Sequence, residues 1–267
     1  MPGPRTDPSG GELNLRQLLG RLRDTPAFMN NVTLWHTTEP VAARTCAYPD
    51  DVTPVLREAL EERGIRELYT HQAEAYANAR ARRHQVVVTP TASGKTLCYN
   101  LPVLQRCLEN PEARALFLFP TKALSQDQMN ELHGLIEAME VDIKTFTFDG
   151  DTPAAARKTI RSSGHVVVTN PDMLHQGILP HHTAWVTLCE NLEYVVIDEL
   201  HHYRGVFGSH VSNVERRLRR ICEFYGSNPV FICSSATNAN PEEHAARLLG
   251  VDAALVDDNG APRGRRH

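Results

Sequence analysis

The sequence predicts an α/β fold, a parallel sheet with helices on both faces, and three observations carry that reading. Short β-branched runs alternate with helical patterns from residue 54 onward. One such run, residues 86–96, VVVTPTASGKT, ends in a loop closing on Gly94-Lys95-Thr96. A second, residues 195–201, VVIDELH, ends in the paired acids Asp198 and Glu199. Strands covered on both faces read as unbroken apolar runs, and helices between them imply right-handed crossovers.

Taken in order, residues 1–12, MPGPRTDPSGGE, are polar and rich in Pro and Gly, which predicts a disordered lead. Leu15, Leu18, Leu19 and Leu22 give residues 13–23 helical spacing, and residues 29–54 read as irregular. Residues 1–54 are therefore expected to form a lead and an N-terminal extension, with the α/β domain over 55–256. Its predicted helices cover 54–63, 70–82, 95–108, 122–139, 152–162, 206–224 and 241–249. Its predicted strands cover 85–89, 115–119, 143–148, 165–169, 194–198 and 230–234. Pro102 predicts a kink or an early end in the third helix. Residues 257–267 are left as a tail.

Val86, Val87 and Val88 suit a buried strand, and Pro90, with no N–H to give a ladder, ends it. Ser93 and Gly94 allow a tight turn, and Lys95 opens a helix through Leu97, Leu101 and Leu104. Amides of Thr91, Ala92, Ser93 and Gly94 would then face a phosphate chain at the helix N-terminus. The Lys95 ammonium would neutralise its β and γ oxygens, and the Thr96 hydroxyl would ligate Mg²⁺. The loop departs from G-x-x-x-x-G-K-[ST] at one place, where Thr89 stands for the first glycine. ATP with Mg²⁺ is the expected ligand.

Asp198 and Glu199 arrive where a parallel strand meets its loop, the edge at which open α/β sheets bind ligands. Asp198 would hold Mg²⁺ through water, and Glu199 would orient and deprotonate the attacking water. Each segment alone could be a plain turn. Together they point to nucleoside triphosphate chemistry.

Asp198-Glu199-Leu200-His201 resembles the DExH box of superfamily-two helicases, and further motifs follow in that family's order. The resemblance implies a RecA-like P-loop fold. Residues 64–72, GIRELYTHQ, resemble the Q motif, whose glutamine, here Gln72, reads the adenine edge. Pro120-Thr121-Lys122-Ala123-Leu124 resembles motif Ia, and Thr169-Asn170-Pro171-Asp172 resembles the Ib segment. Both are implied to meet nucleic acid. Ser235-Ala236-Thr237 resembles motif III, which couples hydrolysis to movement, with His201 bridging it to the ATP site. Residues 148–152, FDGDT, lie beside nucleic acid in such helicases, and Tyr48 stands where an aromatic can stack on adenine. Residues 201–221 and the closing DDNGAPRGRRH resemble a narrower branch, the RecQ-like 3′-to-5′ DNA helicases of the mitomycin-repair type. That resemblance covers about residues 30 to 267. It implies a second RecA-like lobe with arginine fingers and a cysteine-rich C-terminal domain, before which this chain is expected to be truncated.

Composition narrows the classes. A 41% hydrophobic chain of 267 residues can bury one sizeable core. No apolar run reaches the roughly 18 residues of a membrane span, and the N-terminus lacks a signal peptide's apolar centre. Six cysteines stand singly without a C-x-x-C pair, so neither zinc clasp nor disulfide framework is indicated, and the cytoplasm is expected. His181-His182 and His201-His202 invite a metal reading, but no carboxylate or cysteine stands at ligand spacing from the first pair, and His201 reads as a bridge from the ATP site to motif III. Net charge is −4 with only four lysines beside twenty-four arginines, so nucleic-acid contact must be local. Arginine clusters such as Arg216, Arg217, Arg219 and Arg220 read first as solvated helix faces. The leading expectation is an ATP-binding lobe of a DNA helicase. A silent nucleotide-binding scaffold and an RNA helicase lobe remain beside it.

Overall fold

The computed structural model describes residues 14–236 and 239–265. Contacts group the chain into two units, Met1–Ala42 with Arg263–His267, and Ala43–Pro262. In the smaller unit, the helix Leu15–Arg23 starts with a reciprocal cap. Asn14 Oδ1 accepts from the Gln17 amide at 2.9 Å, and Gln17 Oε1 accepts from the Asn14 amide at 3.1 Å. A short helix, Pro26–Met29, follows, and Val41 pairs antiparallel with Arg263.

The larger unit is built on strands whose valines and isoleucines, partly covered Val88 apart, are buried. β1 (Thr45–Cys46) and β2 (Leu68–Tyr69) form a separate antiparallel pair. β3 (Gln85–Val88), β4 (Arg114–Leu118), β5 (Thr145–Thr147), β6 (Val166–Thr169), β7 (Leu192–Ile197), β8 (Val230–Ser235) and β9 (Ala254–Val256) form one sheet. Their order among the described residues is β5-β6-β4-β7-β8-β3-β9, every pair parallel.

Side chains of a strand alternate between faces, so each strand feeds two cores. Tyr194 and Val196 join Phe117 and Ile232 under the helices Pro54–Glu62, Thr70–Arg80, Lys95–Glu109 and Lys122–Met139. Val195 and Ile197 join Leu116, Val167 and Phe231 under the helices Ala154–Ser163, Gly205–Phe224 and Pro241–Leu249. Burying one such large side chain is worth about 1.5–3 kcal/mol, so the two layers supply the main cohesion. The fold is therefore the expected parallel sheet covered on both faces.

Four details depart from the sequence reading. Pro102 does not end its helix, which runs on to Glu109. Its missing N–H costs about 3 kcal/mol in a helix interior, but Leu101, Val103 and Leu104 beside it are fully buried and hold the turn in place. The strand expected over 143–148 pairs only at Thr145–Thr147, because β5 is an edge strand with β6 as its one neighbour. β9 and the helical run from Pro171 to Glu190 were not foreseen. The run starts where Asn170 Oδ1 caps the Met173 amide at 2.9 Å and Pro171 fills the first helical position.

Candidate functional site: a phosphate-loop cleft at the strand ends

The strand order β7-β8-β3 decides where the motifs meet. Parallel register sets Val87 beside Ser234 and Val88 beside Ser235, and Ile197 beside Cys233. The loop after β3, the acids after β7 and the serines ending β8 therefore share one sheet edge. These segments lie far apart in sequence, and topology alone brings them together.

The loop turns through two left-handed residues, Ala92 at φ +63° and Gly94 at φ +78°. Only glycine takes that conformation freely, so Ala92 stores strain of order 1 kcal/mol. A Cβ on Gly94 would also lie 2.6 Å from Gln72 Nε2. The loop is braced from inside and below. Thr89 and Ser93 hydroxyls meet at 2.6 Å, and Lys95 Nζ donates to the carbonyls of Thr89 (2.8 Å) and Pro90 (3.2 Å). Half-burial lowers the Lys95 pKa, opposed by the nearby carboxylates of Glu199 and Asp198. The Gln72 amide is committed on both sides: it donates to Gly94 O at 3.0 Å and accepts from the Tyr69 amide at 2.9 Å.

Asp198 is 8% exposed, and burial raises its pKa against the pull of a hydrogen bond from the Ser234 hydroxyl. Its Oδ1 also accepts the Glu199 amide at 2.9 Å. Glu199 itself sits at φ +53°, a strained position for a residue with a side chain. Its Oε2 is buried without a hydrogen bond, 3.1 Å from His201 Nδ1, and that nitrogen lies 3.4 Å from Ser235 Oγ. His201 thus stands between the acids and β8. Thr237 lies outside the described residues.

Gln72, Thr91, Ala92, Gly94, Lys95, Thr96, Asp198 and Glu199 line one cleft of about 1030 Å³, and Ser93 lies buried beneath it. Arg63, Tyr99, Asn100, Gln128 and Glu131 also line the cleft, and no motif in the sequence marks them. Ser234 was missed too, although its place beside Asp198 follows once β8 is known to flank β7. Tyr48 does not line the cleft. Its hydroxyl donates to Ile65 O at 2.6 Å and its ring packs on the core.

The segments assigned to nucleic acid lie at the ends of β4 and β6. Thr121 Oγ1 caps its helix at the Leu124 amide (3.4 Å), next to Pro120. Lys122 is ion-paired with Asp151 and lies 3.4 Å from Asp149, so its charge is answered by the 148–152 turn. Thr169 is buried and spends its hydroxyl on Phe148 O at 2.6 Å, and Pro171 is buried as well. Asn170 and the exposed Asp172 are the accessible pair of that segment.

A family model described as DEAD/DEAH box helicase matches residues 69–244. The chain is 61% identical over 237 residues to the uncharacterized ATP-dependent helicase YprA of Bacillus subtilis, covering 89% of this chain and 32% of YprA. It is 38% identical over 260 residues to the ATP-dependent helicase hrq1 of Schizosaccharomyces pombe, covering 95% of this chain and 24% of hrq1. Among solved structures, the DUF1998 helicase MrfA bound to DNA and AMPPNP superposes with a TM-score of 0.91 at 58% identity, over 95% of this chain and 35% of MrfA. The chain thus spans about a third or less of the curated relatives it matches.

Proposed function

Because this chain belongs to the DEAD/DEAH box helicase family, we propose that it is the ATP-binding lobe of an ATP-dependent DNA helicase. Its work would be Mg·ATP binding and hydrolysis coupled to a grip on single-stranded DNA, with 3′-to-5′ polarity and a role in repair. One observation carries the reading: β7, β8 and β3 bring Lys95, Asp198 and Glu199 to a single cleft, with His201 beside it 3.1 Å from Glu199.

Roles follow from placement. Loop amides from Thr91 to Gly94 would cradle the phosphates, and Lys95 would exchange its two backbone carbonyls for phosphate oxygens. A divalent cation fits the acid pair, because Asp198 is buried with a raised pKa and Glu199 Oε2 lacks a hydrogen bond. Thr96 and Asp198 would hold Mg²⁺, which stabilises charge on the phosphates. Glu199 would take the proton of the attacking water. His201, touching both Glu199 and Ser235, would report that state to β8. Gln72 keeps one amide hydrogen and one oxygen lone pair for an adenine edge while bracing Gly94.

At the strand ends, Pro120, Thr121, Lys122, Thr169, Asn170, Pro171 and Asp172 would form the nucleic-acid grip, with Ser235 and Thr237 coupling it to hydrolysis. Lys122 must leave Asp149 and Asp151 to meet a phosphate. DNA is favoured over RNA by the DNA-bound MrfA relative. The shares of relatives covered support a second RecA-like lobe as partner. Free thiols at all six cysteines suit the cytoplasm, and among the described residues no helix is long and apolar enough to cross a membrane. Glu199→Gln tests the chemistry: it should keep nucleotide binding and lose DNA-stimulated hydrolysis. Hydrolysis at the unmodified rate would remove Glu199 as the base.

A further inference from the structure

The outward side of the Gly205–Phe224 helix carries a groove that the ATP cleft does not use. Val211, Val214, Leu218 and Cys222 face the sheet, which leaves His210, Asn213, Arg216, Arg217 and Arg220 on the other side. Two adjoining hollows of about 430 and 390 Å³ share Arg217 and Arg220. The first is walled by His175, whose ring meets His210 edge-on at 5.1 Å. The second is walled by His182 and ends at Phe224.

The charge of this groove is unanswered. In a chain of net charge −4, no carboxylate lies within ion-pair distance of Arg216, Arg217 or Arg220 among the described residues. Among the described residues, Arg216 bonds the neutral Asn213 side chain, at 3.1 Å. A crossover helix runs antiparallel to its strands, so this groove starts near the strand-end edge and leads away from it. From His210 to Phe224 it extends roughly 20 Å at about 1.5 Å per residue.

We propose that this groove is a second track for single-stranded nucleic acid, separate from the strand-end motifs and resting on the helicase reading above. Guanidinium forks match phosphate oxygens in pairs. Phe224 is 77% exposed and braced edge-on by Tyr225 at 5.0 Å, so it offers a stacking face at the far end. An acidic peptide would need apolar pockets for its anchors. The floor supplies little of that kind: Val214 is buried and Ile221 is partly covered.

The test is fluorescence anisotropy on the whole chain with a labelled oligothymidine and, separately, a labelled polyglutamate. Arg217→Glu with Arg220→Glu should weaken oligothymidine binding by roughly tenfold or more and lower the log–log salt slope by about 1.4, two phosphate contacts at about 0.7 each. Arg217→Lys with Arg220→Lys should keep most of that slope, and Phe224→Ala should weaken binding without changing it. ATP affinity should stay constant in all three. Oligothymidine binding that survives charge reversal overturns the track, and if Asn170→Ala then abolishes it, the helicase reading stands alone. No oligothymidine binding by the unmodified chain removes both. Polyglutamate binding as tight as oligothymidine binding would assign the groove to a protein and overturn the proposal.

Discussion

His71 joins Ser93 to Gly260: its Nδ1 accepts the Gly260 amide at 3.2 Å, and its Nε2 lies 3.1 Å from the Ser93 carbonyl. An amide can only donate, so Nδ1 is the acceptor and Nε2 carries the hydrogen. One wholly buried neutral imidazole therefore ties the phosphate loop to Gly260, which lies 189 residues from His71 in the chain. That segment is held from its other side by Arg44, which bonds Asp258 at 2.9 Å and whose amide donates to Gly260 O at 2.8 Å.

His71→Ala should loosen both attachments. Each lost buried partner costs about 1–3 kcal/mol, so chemical denaturation should register a drop of that size. Hydrogen exchange at Gly260 should accelerate, and ATP affinity should fall through the freed Ser93. Unchanged exchange at Gly260 would show that the imidazole is not the tie.

The same residue gives a pH dependence. Burial lowers the His71 pKa from its ordinary 6.5, and Lys95 lowers it further while Asp258 and the Ser93 bond oppose this. The unfolded chain then takes up a proton near pH 6.5 that the folded chain refuses. Stability is complete above that pH and falls as pH drops below it. Replacing His71 with Gln should flatten this limb in urea titrations between neutral pH and pH 5. His84 and His165, also lowered by burial, will contribute what remains.

Glu215 acts on the opposite side of neutrality. It lies in the middle of the Gly205–Phe224 helix, fully buried, with neither carboxyl oxygen hydrogen-bonded, and burial raises its pKa to about 8. The folded chain holds that proton between about 4.5 and 8 while the unfolded chain has released it. Stability therefore declines across this window by roughly 1.4 kcal/mol per pH unit, and is highest below it. Glu215→Gln should remove the decline, so its advantage over the unmodified chain should grow from pH 5 to pH 8. Parallel curves would mean that Glu215 is solvated or paired. Tyr203, Cys222 and Cys233 are titratable neighbours, and burial raises all three out of this range.

Much of this was legible in the sequence, and the reasons differ by element. The unbroken runs at Val86–Val88 and Val195–Ile197 and the residues closing them are local signals, so the loop, the acids and the sheet class could be read directly. Strand order is not local. Nothing in the sequence says that β8 lies between β7 and β3, which is why Ser234 on Asp198 went unseen. His71 looked like part of a motif, and its second partner, Gly260, lies in what read as a tail. Lys122 carried the right charge at the right strand end, yet its ion pairs with Asp149 and Asp151 depend on how β5 and β4 are separated by β6. The short β9 lacked the length for a strand signal and forms because Gln85–Val87 offers it a free parallel edge.

The central claim is that the strand-end cleft binds ATP through Lys95. Titration calorimetry of the chain with a non-hydrolysable ATP analogue and Mg²⁺, unmodified and as Lys95→Ala, tests it most directly. One saturable site is expected, weakened by roughly ten- to a hundredfold in the variant, as for a lost charge-assisted contact of about 1.5–3 kcal/mol. Equal affinity in the two proteins, or no binding in either, would contradict the account.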